Sequence, residues 1–264
     1  MAQKNYLRIM VMTGERRAQL EQAANLFLDA RRTGDLIANL PEPLRPVSQE
    51  EAYFVQDEMM RAYEPIGGWK IGGPPTADPF FAPMPSAWIA ASGSTFKGHR
   101  FRGLEAEIAF CLCADLPPRA VPYTREEIIA AIATCHPAIE ILEIGLVDLN
   151  AVEKFVWFSD MQMHGGFVYG PAYADWKSLD FAQESVTLAV DGTVRVEKTA
   201  SNPAGTDLVR LLIYLANEGA ARTGGLHKGE WITTGSWTGN TLAHADSSVD
   251  VNFKHAGHVT MRFA

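Results

Sequence analysis

Gly103-Leu104-Glu105-Ala106-Glu107-Ile108-Ala109-Phe110-Cys111-Leu112-Cys113 is the stretch whose reading decides the fold. As a strand it sends alternate side chains to opposite faces, so Glu105 and Glu107 share one face with Ala109, Cys111 and Cys113, while Ala106, Ile108, Phe110 and Leu112 line the other. Two carboxylates held side by side raise each other's pKa and oppose folding unless a proton or a cation resolves the conflict. A hard divalent ion such as Mg²⁺, Mn²⁺ or Ca²⁺ suits carboxylate oxygens. The competing reading, that both glutamates face water on a half-exposed strand, stands on this stretch alone.

A third carboxylate comes from Ala138-Ile139-Glu140-Ile141-Leu142-Glu143-Ile144. Its two glutamates are three apart and therefore on opposite faces, so only one can join the first pair. Glu140 lies in an apolar run, where an ionised carboxylate is costly unless paired, whereas Glu143 approaches the polar exit at Asp148 and Asn150. Glu140 is then either a buried salt-bridge partner or, with Glu105 and Glu107, part of a three-carboxylate site. Lys70, in Trp69-Lys70-Ile71-Gly72, is either a surface lysine or a cation aimed into a pocket.

Around these segments the chain reads as α+β. Apolar spacing predicts a helix over about 15–32 stopped by Gly34, and Ser48-Gln49-Glu50-Glu51 predicts a capping box opening a second helix to about Tyr63. Pro65, Gly67 and Gly68 end it. Beyond Trp69 the pattern changes to strands and turns, so residues 1–68 are expected to form a helical N-terminal cap and 69–264 the catalytic domain. A loop is expected from Pro74 to Pro85. Thr124-Arg125-Glu126-Glu127 predicts a capped helix through Ile132 that ends before His136-Pro137, with a strand directly after the proline. Val186–Val190, Asp191-Gly192 and Thr193–Val196 predict a hairpin, Thr206–Glu218 a helix, and Trp231–Ser236, Val249–Phe253 and Val259–Phe263 strands.

The 264 residues are 47% hydrophobic and can bury a substantial core. A net charge of -8 argues against nucleic acid as a partner. Three cysteines without Cys-x-x-Cys suggest neither a disulfide framework nor a zinc site, and fit a reducing cytoplasm. Leu7, Ile9, Met10, Val11 and Met12, broken by Arg8 and followed by Glu15-Arg16-Arg17, are too short and too charged for a signal peptide, and no apolar run reaches membrane-spanning length. There is no Walker loop, Gly-x-Gly-x-x-Gly, Gly-x-Ser-x-Gly or His-Glu-x-x-His.

Gly68-Trp69-Lys70-Ile71-Gly72, Glu105-Ala106-Glu107-Ile108-Ala109, Pro137-Ala138-Ile139-Glu140 and Gly229-Glu230-Trp231-Ile232-Thr233-Thr234-Gly235-Ser236 together resemble the 2-keto-4-pentenoate hydratase and 2-oxohept-3-ene-1,7-dioate hydratase family. That family also contains 4-oxalocrotonate decarboxylase and lies within the fumarylacetoacetate hydrolase superfamily. The resemblance implies a mixed β-roll, Mg²⁺ or Mn²⁺ held by Glu105, Glu107 and Glu140, and Lys70 in the pocket. It further implies a small 2-oxo acid substrate and a homo-oligomer. A 2-oxo acid chelates such an ion through its keto and carboxylate oxygens, and the implied reaction is hydration of a 2-hydroxydienoate by way of an enolate, the alternatives being decarboxylation or C–C hydrolysis on the same site, or a non-catalytic homologue that binds the metal and a 2-oxo acid. Where the family follows its lysine motif with Gly-Leu-Thr-Ser and an acidic turn, this chain has Gly72-Gly73-Pro74-Pro75 and then Asp78-Pro79-Phe80-Phe81. Asp78 is the expected acid/base with Lys70. Asp160, which falls where the family has an Asp after the third ligand, and Ser236 are the expected substrate contacts.

Overall fold

The computed structural model describes residues 12–173 and 175–264. The expectation drawn from Leu7, Ile9, Met10 and Val11 lies outside them. Helix α1 (Gly14–Thr33) begins where the Thr13 hydroxyl accepts the Arg16 amide and ends at Gly34, whose φ of 86° suits a residue without Cβ. Helix α2 (Gln49–Met60) begins at Ser48, but its capping box is only half formed. The Glu51 amide bonds the Ser48 hydroxyl, while the Glu51 carboxylate takes the Val47 amide and the Arg16 guanidinium. Leu20 and Phe27 of α1 pack with Val55 and Met59 of α2. The same core includes Leu146, Val156 and Met161, so the cap's interior is shared with later chain. Residue 68 falls inside the first strand, β1 (Ile66–Gly72).

The segment expected as a loop contains β2 (Phe80–Pro85), antiparallel to β1. Strand β2 lies at the sheet edge, where Pro83 and Pro85 leave fewer ladder bonds unmade. Next come β3 (Ile89–Ala91), β4 (Ser94–Phe96) and β5 (Gly103–Leu112). Helix α3 (Arg125–Ala131) has the full capping box of Thr124 and Glu127. It stops earlier than the sequence pattern suggests, and β6 (Ile132–Leu142) begins at once and runs through His136-Pro137. Pro137 is tolerated because it lies one residue beyond the ladder with the later strand β7 (His164–Tyr169), whose last pair is Ala138 with Tyr169. Helix α4 (Lys154–Ser159) precedes β7.

The predicted hairpin is β8 (Ser185–Val190) and β9 (Thr193–Thr199), with positive φ at both Asp191 and Gly192 as a two-residue turn requires. Helix α5 (Val209–Asn217) starts three residues later than expected, because the Asn202 side chain and carbonyl hold Ala204 and Gly205 in a turn. After α6 (Ala220–Thr223) come β10 (Trp231–Ser236), β11 (Thr241–Leu242), β12 (Ser248–Phe253) and β13 (Gly257–Phe263).

These strands make two mixed sheets, in the α+β class the sequence predicts. One runs β2-β1-β10-β5-β6-β7-β3 with β11 added to β5, and the other runs β4-β13-β12-β8-β9. Strands β12 and β13 pack on β6, and Val251, Phe253, Val259 and Phe263 share a core with Ile108, Ile139 and Ile141. This core backs the face opposite the glutamates. No helix among the described residues is long and apolar enough to cross a membrane.

Candidate active site

Register brings the three carboxylates together. In the antiparallel β5–β6 ladder Glu105 stands opposite Glu140, and Glu107 opposite Ala138. Like charges directly opposite in a ladder are destabilising, so this pairing needs a compensating charge. Strand β10 on the other side of β5 supplies Thr233, whose hydroxyl donates to Glu107 Oε2, and Gly235, whose amide donates to the same oxygen at 3.0 Å. The amide is aimed by a register shift between Thr233 and Ser236, with Gly235 at φ 90°. Lys70, opposite Thr233 on β1, places Nζ 2.6 Å from Glu140 Oε1 and 3.0 Å from the Gln162 carbonyl oxygen. His164 Nδ1 lies 2.9 Å from the same Glu140 oxygen.

Burial pushes Glu107 well above the ordinary carboxylate range, reinforced by Glu140 and Glu105, and it pushes Glu105 up with the help of Glu140. For Glu140 burial also pulls upward, but Lys70 and His164 outweigh it and hold the carboxyl below its ordinary value. Burial alone would lower Lys70, the direction the pocket reading invites. Glu140, Glu105 and Glu107 reverse it, so the amine is held protonated. His164 is lowered by burial despite Glu140; a neutral ring that donates from Nδ1 leaves Nε2 as an acceptor, and Nε2 has no partner.

Three carboxylates face one ammonium, an excess of two negative charges once all are ionised. One oxygen from each glutamate lies within 4.8 Å of the others, and Glu140 Oε2 is buried with no hydrogen-bond partner. An orphaned carboxylate oxygen in an all-oxygen group of this charge fits a hard divalent cation. The group lines a cavity of about 270 Å³, together with Lys70, Gln162, Ser236, Phe80 and Trp157.

The remaining expected site residues separate. Ser236 reaches the cavity beside Glu105, and its hydroxyl accepts the Gly239 amide. Asp78 does not. It is exposed and lines a separate depression with Arg210 and Tyr214, because Gly73 at φ 131° and the two prolines after it lead the chain away from the glutamates. Asp160 is fully buried outside the cavity. Its carboxylate pairs with Arg31 at 2.6 Å and accepts the Gly145 amide, so it ties α1 to the sheet rather than meeting a ligand.

Gln162, His164, Thr233 and Asn202 were missed. The polar run Ser159–Gly166 between apolar segments marks a site from the sequence, but the residue it suggests is Asp160, whereas Gln162 and His164 are the ones that face the glutamates. Thr233 was visible in principle as the residue alternating with Trp231 in the Gly229–Ser236 motif.

No protein-family model and no curated protein matches the chain. Solved structures do. 4-Oxalocrotonate decarboxylase from Pseudomonas putida G7, solved with calcium and acetate and with magnesium and adipate, superposes with a TM-score of 0.79 at 20% identity, covering 96% of this chain and 99% of that one. 5-Carboxymethyl-2-hydroxymuconate delta-isomerase from Mycobacterium smegmatis gives 0.55 at 17% identity over 76% of this chain and 80% of that one. 2-Hydroxyhepta-2,4-diene-1,7-dioate isomerase from Mycobacterium marinum gives 0.56 at 16% over 76% of each. The fold is therefore the fumarylacetoacetate hydrolase-like one that the motifs imply.

Proposed function

We propose that this chain is a divalent-metal-dependent enzyme of the fumarylacetoacetate hydrolase superfamily, a hydratase that adds water to a small 2-hydroxydienoate, the enol form of an unsaturated 2-oxo acid. The observation that carries the reading is the convergence of Glu105, Glu107 and Glu140 on the wall of a cavity, with Glu140 Oε2 buried and unpartnered. These three residues would hold Mg²⁺ or Mn²⁺. Such a cation supplies Lewis-acid stabilisation of negative charge on the substrate's 2-oxygen.

The chain's own groups divide the remaining work. Thr233 and the Gly235 amide fix Glu107 Oε2, and His164 and Lys70 fix Glu140 Oε1, so the carboxylates are oriented before anything binds. Lys70 holds a proton on Nζ beside the glutamates and offers an ammonium to an oxyanion developing there. It is also the group placed to exchange a proton with the substrate. Phe80 and Trp157 give the cavity apolar walls. The same reading carries with it a homo-oligomer, which light scattering on the purified protein tests.

A decarboxylase on the same site is the second reading, favoured by the likeness to 4-oxalocrotonate decarboxylase along nearly the full chain. Product analysis with 2-hydroxypentadienoate and oxalocrotonate separates the two. Formation of a 4-hydroxy-2-oxo acid with Mg²⁺ or Mn²⁺ is expected. Release of CO₂ from oxalocrotonate with no hydration product overturns the hydratase reading in favour of the decarboxylase.

A further inference from the structure

Cations are unevenly placed around the cavity. Among the described residues that line it, Lys70 is the one positive side chain, and it belongs to the glutamate end, 2.6 Å from Glu140. The uncharged part of the lining includes Pro74, Phe80, Trp157, Met163, Pro203 and Ala204. Two amides also line the cavity. Both hydrogens of Asn202 Nδ2 go to the carbonyl oxygens of Thr234 and Gly235 at 3.0 Å, and its Oδ1 accepts the Ala204 amide. Gln162 donates from Nε2 to the Phe81 carbonyl oxygen at 2.7 Å. A flipped amide would set two oxygens against each other at that distance, so the orientation is fixed by its partner. Gln162 therefore keeps an acceptor, Oε1, which is buried without a partner. Arg210 lies behind the wall, with Nη2 donating to the Gly73 carbonyl oxygen at 3.1 Å and the Ala204 carbonyl oxygen at 3.4 Å.

We propose that this cavity selects 2-oxo monocarboxylates with a short uncharged tail and rejects chains that end in a second carboxylate. The inference rests on the reading of the glutamate end as a 2-oxo acid site and adds what the tail must be. A terminal carboxylate entering this wall loses its water and finds no cation to replace it, since Lys70 is already paired with Glu140, which is the costly case of an unpaired buried charge. An apolar or unsaturated tail meets a matching surface, and a hydroxyl on it finds an acceptor in Gln162 Oε1.

The test uses the full chain loaded with Mg²⁺ and three probes: oxalate, which presents only the chelating head, and the matched six-carbon pair 2-oxohexanoate and 2-oxoadipate, which differ in a terminal methyl or carboxylate. Calorimetric titration is expected to show all three binding, with 2-oxohexanoate tighter than 2-oxoadipate by about ten-fold or more. Equal or tighter binding of 2-oxoadipate, with oxalate binding intact, overturns the selectivity and leaves the 2-oxo acid reading standing. Failure of oxalate and both 2-oxo acids to bind overturns that reading and the selectivity with it.

Discussion

Removing one carboxylate from the Glu105–Glu107–Glu140 group changes two quantities in opposite directions. Glu107→Gln keeps the shape that Thr233 and the Gly235 amide surround while deleting a ligand charge. Affinity for Mg²⁺ is expected to fall by about 100-fold or more, and turnover with it. The metal-free variant should melt no lower than the metal-free parent, because one of three buried like charges is gone. Retained affinity would show that Glu107 is not a ligand. A second titration is independent of the metal group. Burial, only partly offset by the Gly170 carbonyl, holds His136 below its ordinary 6.5. The unfolded chain therefore takes up the proton first, so the stability tied to a neutral His136 is complete above about pH 6.5 and declines as pH falls below it. The drop in melting temperature between about pH 7.5 and about pH 5.5 should be smaller in His136→Gln than in the parent; equal drops would contradict the assignment. At this scale the grouping of the three glutamates was legible because same-face alternation and an apolar setting are local properties. Asp160 was misread because its partner, Arg31, is 129 residues away in sequence and a turn acid does not announce whom it pairs with. Asp78 was misread because no local pattern says which way a Gly-Pro-Pro turn leads.

Two elements hold the site in place from outside it. The Arg31 guanidinium on α1 bonds the Asp160 carboxylate and the backbone oxygens of His164, Glu143 and Asp160. Arg31→Met leaves a fully buried Asp160 without its cation and should cost about 3–5 kcal/mol in denaturant unfolding. A cost under about 1 kcal/mol would mean that α1 is not clasped in this way. On the far side, β1 and β10 run so close that a Cβ on Gly68 would come 2.2 Å from the Trp231 carbonyl oxygen. Gly68→Ala must push the strands apart two residues from Lys70, so a lower melting temperature and weaker oxalate binding are expected together. A stable variant with unchanged oxalate binding would sink this account of the motif's glycine. The hairpin of β8 and β9 and the final pair β12 and β13 were legible because each is a local alternation closed by a short turn. The β2 strand was hidden by its prolines, and the start of β6 by Pro137, since both depend on which edge of a sheet has no neighbour.

At the level of the whole molecule the site is a product of long-range pairing. Lys70 comes from β1, Glu105 and Glu107 from β5, Glu140 from β6 and Thr233 from β10, adjacent strands of one sheet drawn from across the chain. Such an order cannot be read from segments one at a time, and the motifs suggested it only when taken together. Among the described residues the second sheet contributes no side chain to the glutamate group. It seals the opposite face of β6, while Glu140 is buried on its own face beside Lys70 and His164. The account's central claim is that this arrangement exists to hold a divalent cation and a 2-oxo acid together. The most direct measurement is calorimetric titration of metal-stripped protein with Mg²⁺ or Mn²⁺, alone and in the presence of oxalate. Binding of one ion per chain, lost in Glu107→Gln and tightened by oxalate, is the predicted result. A parent protein that takes up no metal under either condition would contradict the claim and leave the three glutamates as partners of Lys70 and His164 alone.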